Sequence, residues 1–542
     1  MINILIKENY FWKKFSNNSA TIYFKGYLNS HSLFDMVGLI ENIDIKDISS
    51  LIKSFDGNFA LVVVNNKFTF ICVDKIRSSP LFFTKIDSDF YIDCLPNQLI
   101  NQPKFIKSIN NDAVLELCMS GYTIGNKTIY NNLFSLKAGE IVVFQENEFE
   151  YQQFYKYFDR ASCLQSDYVD ELSKLTIKIF QKMINGLEGR QVIVPLSAGN
   201  DSRLVVSILK HLGVTNVKCY SYGTINNFES NTAKLIAEKL GYEWIFIPLT
   251  NKSEKKYYLS DEYNEYLNFA DTCSSVPHFQ SLSTIKYLKD LEWIDDDAIF
   301  INGNSGDFIT GLHINYFLKD ITDTEDVETR KDNILNSLIN KHFSLWGNLK
   351  LNKNLQRIKR NIWKEISSSC GGLENKSNDH ALYEYSEFID RQSKYVISGQ
   401  RSYEFYGYEW RLPLWDDEYL NFWSKIPLDY KKDQKLYLDM LKKYNFGEVW
   451  GNDIPINKKT ITPKWIIPLR FLAKIPFALF GKNGKSFWHK FETIFFYYWM
   501  DNTKMMSSVP YLRVIKSIRN SPQHHVSWQV LDYIKKNNIK IK

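Results

Sequence analysis

At 542 residues the chain is long enough for roughly two to four domains, and a make-up 44% hydrophobic and 24% charged excludes a disordered or collagen-like protein. The net charge of +6, from 67 Lys and Arg against 61 Asp and Glu, is too mild over this length to call for a nucleic-acid partner. Seven cysteines (Cys72, Cys94, Cys118, Cys163, Cys219, Cys273 and Cys370) are odd in number and lack zinc-ligand spacing, which argues against a disulfide framework and structural zinc. Without a signal-peptide pattern at Met1–Glu8 or an apolar run near the ~18–20 residues of a membrane span, the expected compartment is the cytoplasm.

Residues 1–155 read as a β-rich lobe. Phe59–Val64 and Lys67–Val73 flank Asn65-Asn66, two residues that tolerate a tight turn, and predict a hairpin. Glu140–Phe144 predicts another strand after the small-residue turn Ala138-Gly139. From about residue 165 to 450 the period changes. An amphipathic helix over Tyr168–Leu187 leads to a buried-type strand, Gln191–Leu196, and then a helix over Ser202–Leu212 with Leu204, Val205, Ile208, Leu209 and Leu212 on one face. Val217–Tyr222 (strand), Asn231–Leu240 (helix) and Trp244–Leu249 (strand) complete a βαβ alternation, hence an α/β fold with a doubly wound parallel sheet. Residues 451–542 form a basic, aromatic, helical C-terminal extension, read either as a cap on the core or as an interfacial surface, with the cap preferred.

Ligands of such sheets bind where a strand ends and a helix begins. Here that loop is Ser197-Ala198-Gly199-Asn200-Asp201-Ser202. Small residues let backbone N–H groups approach an anion, the helix N-terminus adds positive potential, and Ser197 and Ser202 add hydroxyls. Asp201 would repel a bare phosphate but suits a polyphosphate carried with Mg²⁺. The plainer alternative is a helix N-cap turn with Asp201 or Ser202 capping. The strand-like run Asp297–Ile301 enters Asn302-Gly303-Asn304-Ser305-Gly306-Asp307, which is either an ordinary turn or a second loop that sets Asp307 across the metal–pyrophosphate from Asp201. Arg411, in Glu409-Trp410-Arg411-Leu412-Pro413-Leu414-Trp415-Asp416, reads as a phosphate or carboxylate clamp or as an ion pair with Glu409 or Asp416.

In this order, Ser197–Ser202, Gly303–Asp307 and Arg411–Asp416 resemble the three motifs of the asparagine synthetase family. Asp56–Ala60, Asp74–Leu81 and Thr128–Glu140 are similar to that family's N-terminal glutaminase lobe. The resemblance implies an Ntn-hydrolase-like β sandwich followed by an ATP-pyrophosphatase domain of the adenine nucleotide alpha hydrolase type. It implies ATP and Mg²⁺ as cofactors, with a substrate carboxylate adenylated and then amidated. By position it assigns pyrophosphate to Ser197, Gly199, Asp201 and Ser202, Mg²⁺ to Asp201 and Asp307, and adenosine to Ser221, Tyr222, Gly223 and Gly303. Lys458 or Lys459 stands for the family's late lysine, and Arg411 joins the catalytic set. Ile2 occupies the place of the family's nucleophilic Cys, so no glutamine hydrolysis is expected and nitrogen would come from ammonia, an amine or a partner glutaminase. Asn304 and Phe308 replace two acidic family residues, which argues against plain aspartate amidation. The leading expectation is an AMP-forming amide ligase acting on a small-molecule carboxylate. Asparagine synthesis with external ammonia, lactam-type cyclisation and a degenerate scaffold are the alternatives. No nucleic-acid partner is expected, membrane-surface association is the minor reading, and a homodimer is left open.

Overall fold

The computed structural model describes all residues except 18, 30–32, 42, 159–166, 320–323, 457–462, 518–524 and 541–542. Cys163, Lys458 and Lys459 therefore lie outside the described residues. Cys72, Cys94, Cys118, Cys219 and Cys273 are free thiols.

The N-terminal lobe is a two-sheet sandwich. A six-stranded antiparallel sheet runs in the order Glu148–Gln153, Glu140–Gln145, Thr69–Val73, Gly57–Asn65, Ala20–Leu28, Lys13–Ser16. It faces a four-stranded sheet of Ile2–Ile4, Asp89–Asp93, Phe82–Ile86 and Leu133–Ser135. Between them lie Val62, Ile71, Val142 and Phe144 from the first sheet and Phe83, Phe90 and Ile92 from the second. The predicted hairpin forms with Val64 opposite Thr69. Its turn sits one residue later than predicted, because the Asn65 side chain accepts from the Lys67 and Phe68 amides, both at 2.8 Å, and so opens the turn instead of occupying its centre.

The second domain is built on five parallel strands: β1 (Val192–Pro195), β2 (Val217–Gly223), β3 (Glu243–Pro248), β4 (Ile299–Ile301) and β5 (Glu409–Arg411). Their spatial order is β3-β2-β1-β4-β5. The winding therefore reverses at β1, and the cleft that ligands use in such sheets opens beyond its carboxyl end. Helix α1 (Asn200–His211) follows β1 and α2 (Phe228–Leu240) follows β2. Both start earlier than predicted: Gly199 and Asn227 cap them, and their first turns carry no apolar periodicity to read.

Buried ion pairs lock the two lobes together: Lys25–Glu404 (2.7 Å), Lys75–Asp417 (2.5 Å) and Lys137–Glu365 (2.9 Å). Arg77 donates across the same interface to the Ser393 carbonyl (3.3 Å). The extension winds back over both lobes, and its Trp528, Val526 and Met506 join Val114 and Leu117 of the first lobe and Trp346 of the second. It contains α3 (Ile466–Lys474) and α4 (Gly484–Phe495). No helix among the described residues is long and apolar enough to cross a membrane.

Candidate active site

A cavity of about 490 Å³ opens at the carboxyl ends of β1, β2 and β4, a size that suits a nucleotide. Its floor is the loop from β1 into α1. Gly199, not Asp201 or Ser202, is the N-cap of α1 and makes no side-chain capping bond, so the first amides of the helix remain available to a ligand. The loop is held open from within. Ser202 Oγ accepts from the Ser197 amide at 3.0 Å and lies 3.0 Å from Ser197 Oγ, which in turn accepts from the Gly199 amide at 3.1 Å. The side-chain oxygen of Asn200 is buried in the same wall with no partner among the described residues.

The second loop packs directly on the first. A Cβ on Gly303 would come within 2.7 Å of Asp201 Cβ, and one on Gly306 within 2.4 Å of the Asp201 carboxyl carbon. Only glycine permits this approach, which buries the Asp201 carboxyl where Tyr437 donates to its Oδ1 at 3.1 Å. Burial, reinforced by the charge of Asp307, pushes the Asp201 carboxyl up to about 7. Asp307 is half exposed, towards the cavity, and accepts from the Phe308 amide at 2.9 Å. Burial acts to raise its carboxyl, but the hydrogen bond from His313 (3.2 Å) outweighs it and leaves Asp307 below the ordinary range.

Two carboxylates beside an anion loop fit Mg²⁺, which takes one or two protein carboxylates and fills its other positions with phosphate and water. No cluster of three or more metal-ligating side chains occurs among the described residues, so the pair would need a phosphate-bearing ligand to complete the shell.

Sequence reading missed the far wall. A π-helix, Glu387–Val396, sets Arg391, Gln392 and Tyr395 on the cavity. Glu387 is fully buried behind them, bonded to His313 and to Lys341 at 2.9 Å. Burial would raise its carboxyl, but His313, His342 and Lys341 hold it well below the usual range. The Arg391 guanidinium approaches Glu387 only to 3.9 Å, leaving its donors towards the cavity. The recurrence Glu387, Arg391, Tyr395 at four-residue steps was the available signal for this face. Asn502 and Thr503 of the extension complete the rim; Asn502 accepts from the Thr224 amide at 2.9 Å, against Gly223.

Of the other sequence-predicted residues, Ser221, Tyr222 and Gly303 line the cavity. Ser221 already donates to the Leu196 carbonyl (2.7 Å) and accepts from Trp244 of β3 (3.0 Å), tying β2 to both of its neighbours. Gly223 stands behind the wall, against Asn502. Arg411 is not brought to the cavity. Its guanidinium lies 3.9 Å from the ring centre of Tyr27 in the first lobe and bonds Glu409 at 3.1 Å, which is the ion-pair alternative. Asp416 pairs with Lys182 at 2.8 Å. Phe308 is fully buried among Tyr157, Phe388 and Trp415, facing away from the ligand space. Lys458 and Lys459 have no described position, but their flank does. Arg203 is buried in α1 and donates to the carbonyls of Ala198 (2.9 Å), Val449 (3.0 Å) and Pro455 (3.0 Å), which brings the chain to the nucleotide loop two residues short of the undescribed segment.

A doubly wound sheet with a Ser/Gly/Asp loop at its switch point and a nucleotide-sized cavity above it defines an ATP-pyrophosphatase-type α/β protein with an amidotransferase-like lobe. Two family models match the chain: a glutamine amidotransferase domain over residues 45–155 and asparagine synthase over residues 188–445. The chain thus carries an asparagine synthase domain, of a family of ATP-dependent carbon–nitrogen ligases that yield AMP and pyrophosphate, behind an amidotransferase-type lobe. Among curated proteins, no sequence relative matches. Two solved structures align weakly. One is glutamine phosphoribosylpyrophosphate amidotransferase from B. subtilis complexed with ADP and GMP, at 11% identity and TM-score 0.20 over 46% of this chain and 75% of that one. The other is described as the allosteric regulatory enzyme of purine biosynthesis, at 9% identity and TM-score 0.18 over 54% of this chain and 56% of that one. Neither likeness carries an argument about this chain.

Proposed function

We propose that the protein adenylates a substrate carboxylate with ATP and passes the acyl group to ammonia or an amine. The carboxylate oxygen attacks the α-phosphorus, the bond to the β-phosphate oxygen breaks and pyrophosphate leaves. The nitrogen then attacks the acyl carbon and AMP departs. Ser197, Gly199, Ser202 and the α1 N-terminus receive the pyrophosphate, while Ser221, Tyr222 and Gly303 flank the adenosine. Asp201 and Asp307 would hold Mg²⁺, whose charge would stabilise the departing pyrophosphate. Arg391, across the cavity, suits a substrate that carries a second acidic group. Lys458 or Lys459 serves the α-phosphate, as the family resemblance implies. The observation that carries this reading is the packing of Asp201 against Gly303 and Gly306, which joins two strand-end loops, each with one carboxylate, over one cavity.

Nitrogen comes from outside the chain. Burial raises the thiol of Cys72 well above its ordinary range and pushes those of Cys94 and Cys118 up to about 12, so none of the three cysteines of the first lobe is an activated nucleophile. The test is acid-dependent AMP formation with ammonia or glutamine as the donor. The reading requires product with ammonia and none with glutamine, and ADP in place of AMP overturns it.

A further inference from the structure

Nine of the 25 large apolar side chains exposed among the described residues fall between Trp465 and Phe487. Leu479 is 87% exposed, Phe471 68% and Leu472 61%. A soluble surface scatters such residues singly; gathered on one short stretch they mark a surface with a partner. The stretch is folded, not frayed. Gly484 lets α4 close onto the Phe477 carbonyl, where a Cβ would meet that oxygen at 2.1 Å. Trp488 packs beneath, 5.5 Å from the Phe477 ring and 5.9 Å from Phe491. The apolar side chains above this seam are therefore presented outward on a firm platform.

Charge identifies what the platform meets. Residues 454–500 carry eight Lys and Arg against the single acid Glu492, a net +7, whereas the whole chain carries +6. The remaining residues thus sum to −1, and the protein's positive charge resides in the segment that exposes its apolar surface. Glu492 is taken up by Arg470. Lys464, Lys474, Lys485 and Lys490 are exposed, and their side chains make no hydrogen bond or ion pair among the described residues. A second copy of the same segment would bring one strongly basic segment against another, so self-association is opposed, whereas an anionic surface is matched. Pro468, Pro476 and the nine-residue length of α3 exclude a spanning helix. Apolar groups interleaved with unpaired lysines on short helices are the pattern of a segment lying in the plane of a bilayer interface.

We infer that residues 464–490 bind flat to an anionic lipid surface. Because α4 runs on through Tyr497–Met500 to Asn502 and Thr503, this holds the nucleotide cavity close to the bilayer.

The test is sedimentation of the full-length protein with vesicles of phosphatidylcholine alone or with a third phosphatidylglycerol, at low and high salt. The protein should pellet with the anionic vesicles, several-fold less at high salt and little with the neutral ones. Phe471→Ser with Leu479→Ser should lower partitioning about tenfold or more while AMP formation in solution is unchanged. Lys474→Glu with Lys485→Glu should abolish the preference for anionic vesicles. Retention in the supernatant with both vesicle types overturns the inference, as does equal binding to both. So does a dimer by light scattering that the Phe471/Leu479 variant dissociates, since the face would then belong to a second copy.

Discussion

Asp201 shows how much of the site depends on what is missing from its neighbours. Its carboxyl is buried because Gly303 and Gly306 have no side chains, and a methyl group at 306 would sit 2.4 Å from the carboxyl carbon. Gly306→Ala should therefore lower kcat/KM for ATP by about tenfold or more, some 1.4 kcal/mol in the transition state. Gly372→Ala, which meets nothing within 4 Å, should leave it unchanged, and steady-state kinetics on the two variants checks the contrast. Glu140 carries a stability prediction. Burial pushes its carboxyl up from 4.5 to about 7. Below the lower value both folded and unfolded states hold the proton. Between the two values the unfolded chain ionises while the folded one does not, so stability falls as pH rises, and above about 7 the loss is complete. Glu140→Gln removes this charge, so its thermal midpoint relative to wild type should be more favourable at pH 8 than at pH 5, by the equivalent of about 1–3 kcal/mol. At this scale the Ser197–Ser202 turn from strand to helix was legible because small and hydroxyl residues between an apolar strand and a helix are a local pattern. Arg391 and Glu387 were not, because their roles arise where a π-helix folds against a distant strand end.

Elements were legible where a period repeats and obscure where a contact decides. The β1–α1–β2–α2–β3 alternation followed from apolar spacing alone. The two helices began earlier than their apolar periods, since Gly199 and Asn227 act through backbone geometry and capping, and the hairpin turn moved by one residue for the side-chain bonds of Asn65. The sequence left Arg411 open between a clamp and an ion pair for a related reason: a motif fixes sequence neighbours, whereas the first lobe's Tyr27 fixes where the guanidinium goes. Arg203 is the element-scale residue with most at stake. It joins α1 to the segment 449–455 through the carbonyls of Val449, Ile454 and Pro455, holds the Ala198 carbonyl of the loop as well, and stacks 5.3 Å from the Trp450 ring. Arg203→Met should release that segment from the nucleotide loop. The expected outcome is adenylation slowed about tenfold or more, with faster proteolytic cleavage between Val449 and Trp465, read by gel and mass spectrometry.

For the whole molecule, composition and charge gave the right class but hid the distribution. The modest +6 concealed a segment of +7, and only the exposure of its apolar side chains gives that charge a meaning. The amidotransferase-like lobe, with Cys72 and Cys118 buried, is fastened to the second domain by Lys25, Lys75 and Lys137. The central claim is that one cavity activates a carboxylate through ATP. The most direct measurement is exchange of radiolabelled pyrophosphate into ATP with Mg²⁺ and a panel of carboxylic acids, for wild type and Asp201→Asn. The account predicts exchange that requires one acid of the panel and falls about a hundredfold or more in the variant. Exchange that persists in Asp201→Asn, or that proceeds without any acid, would contradict it.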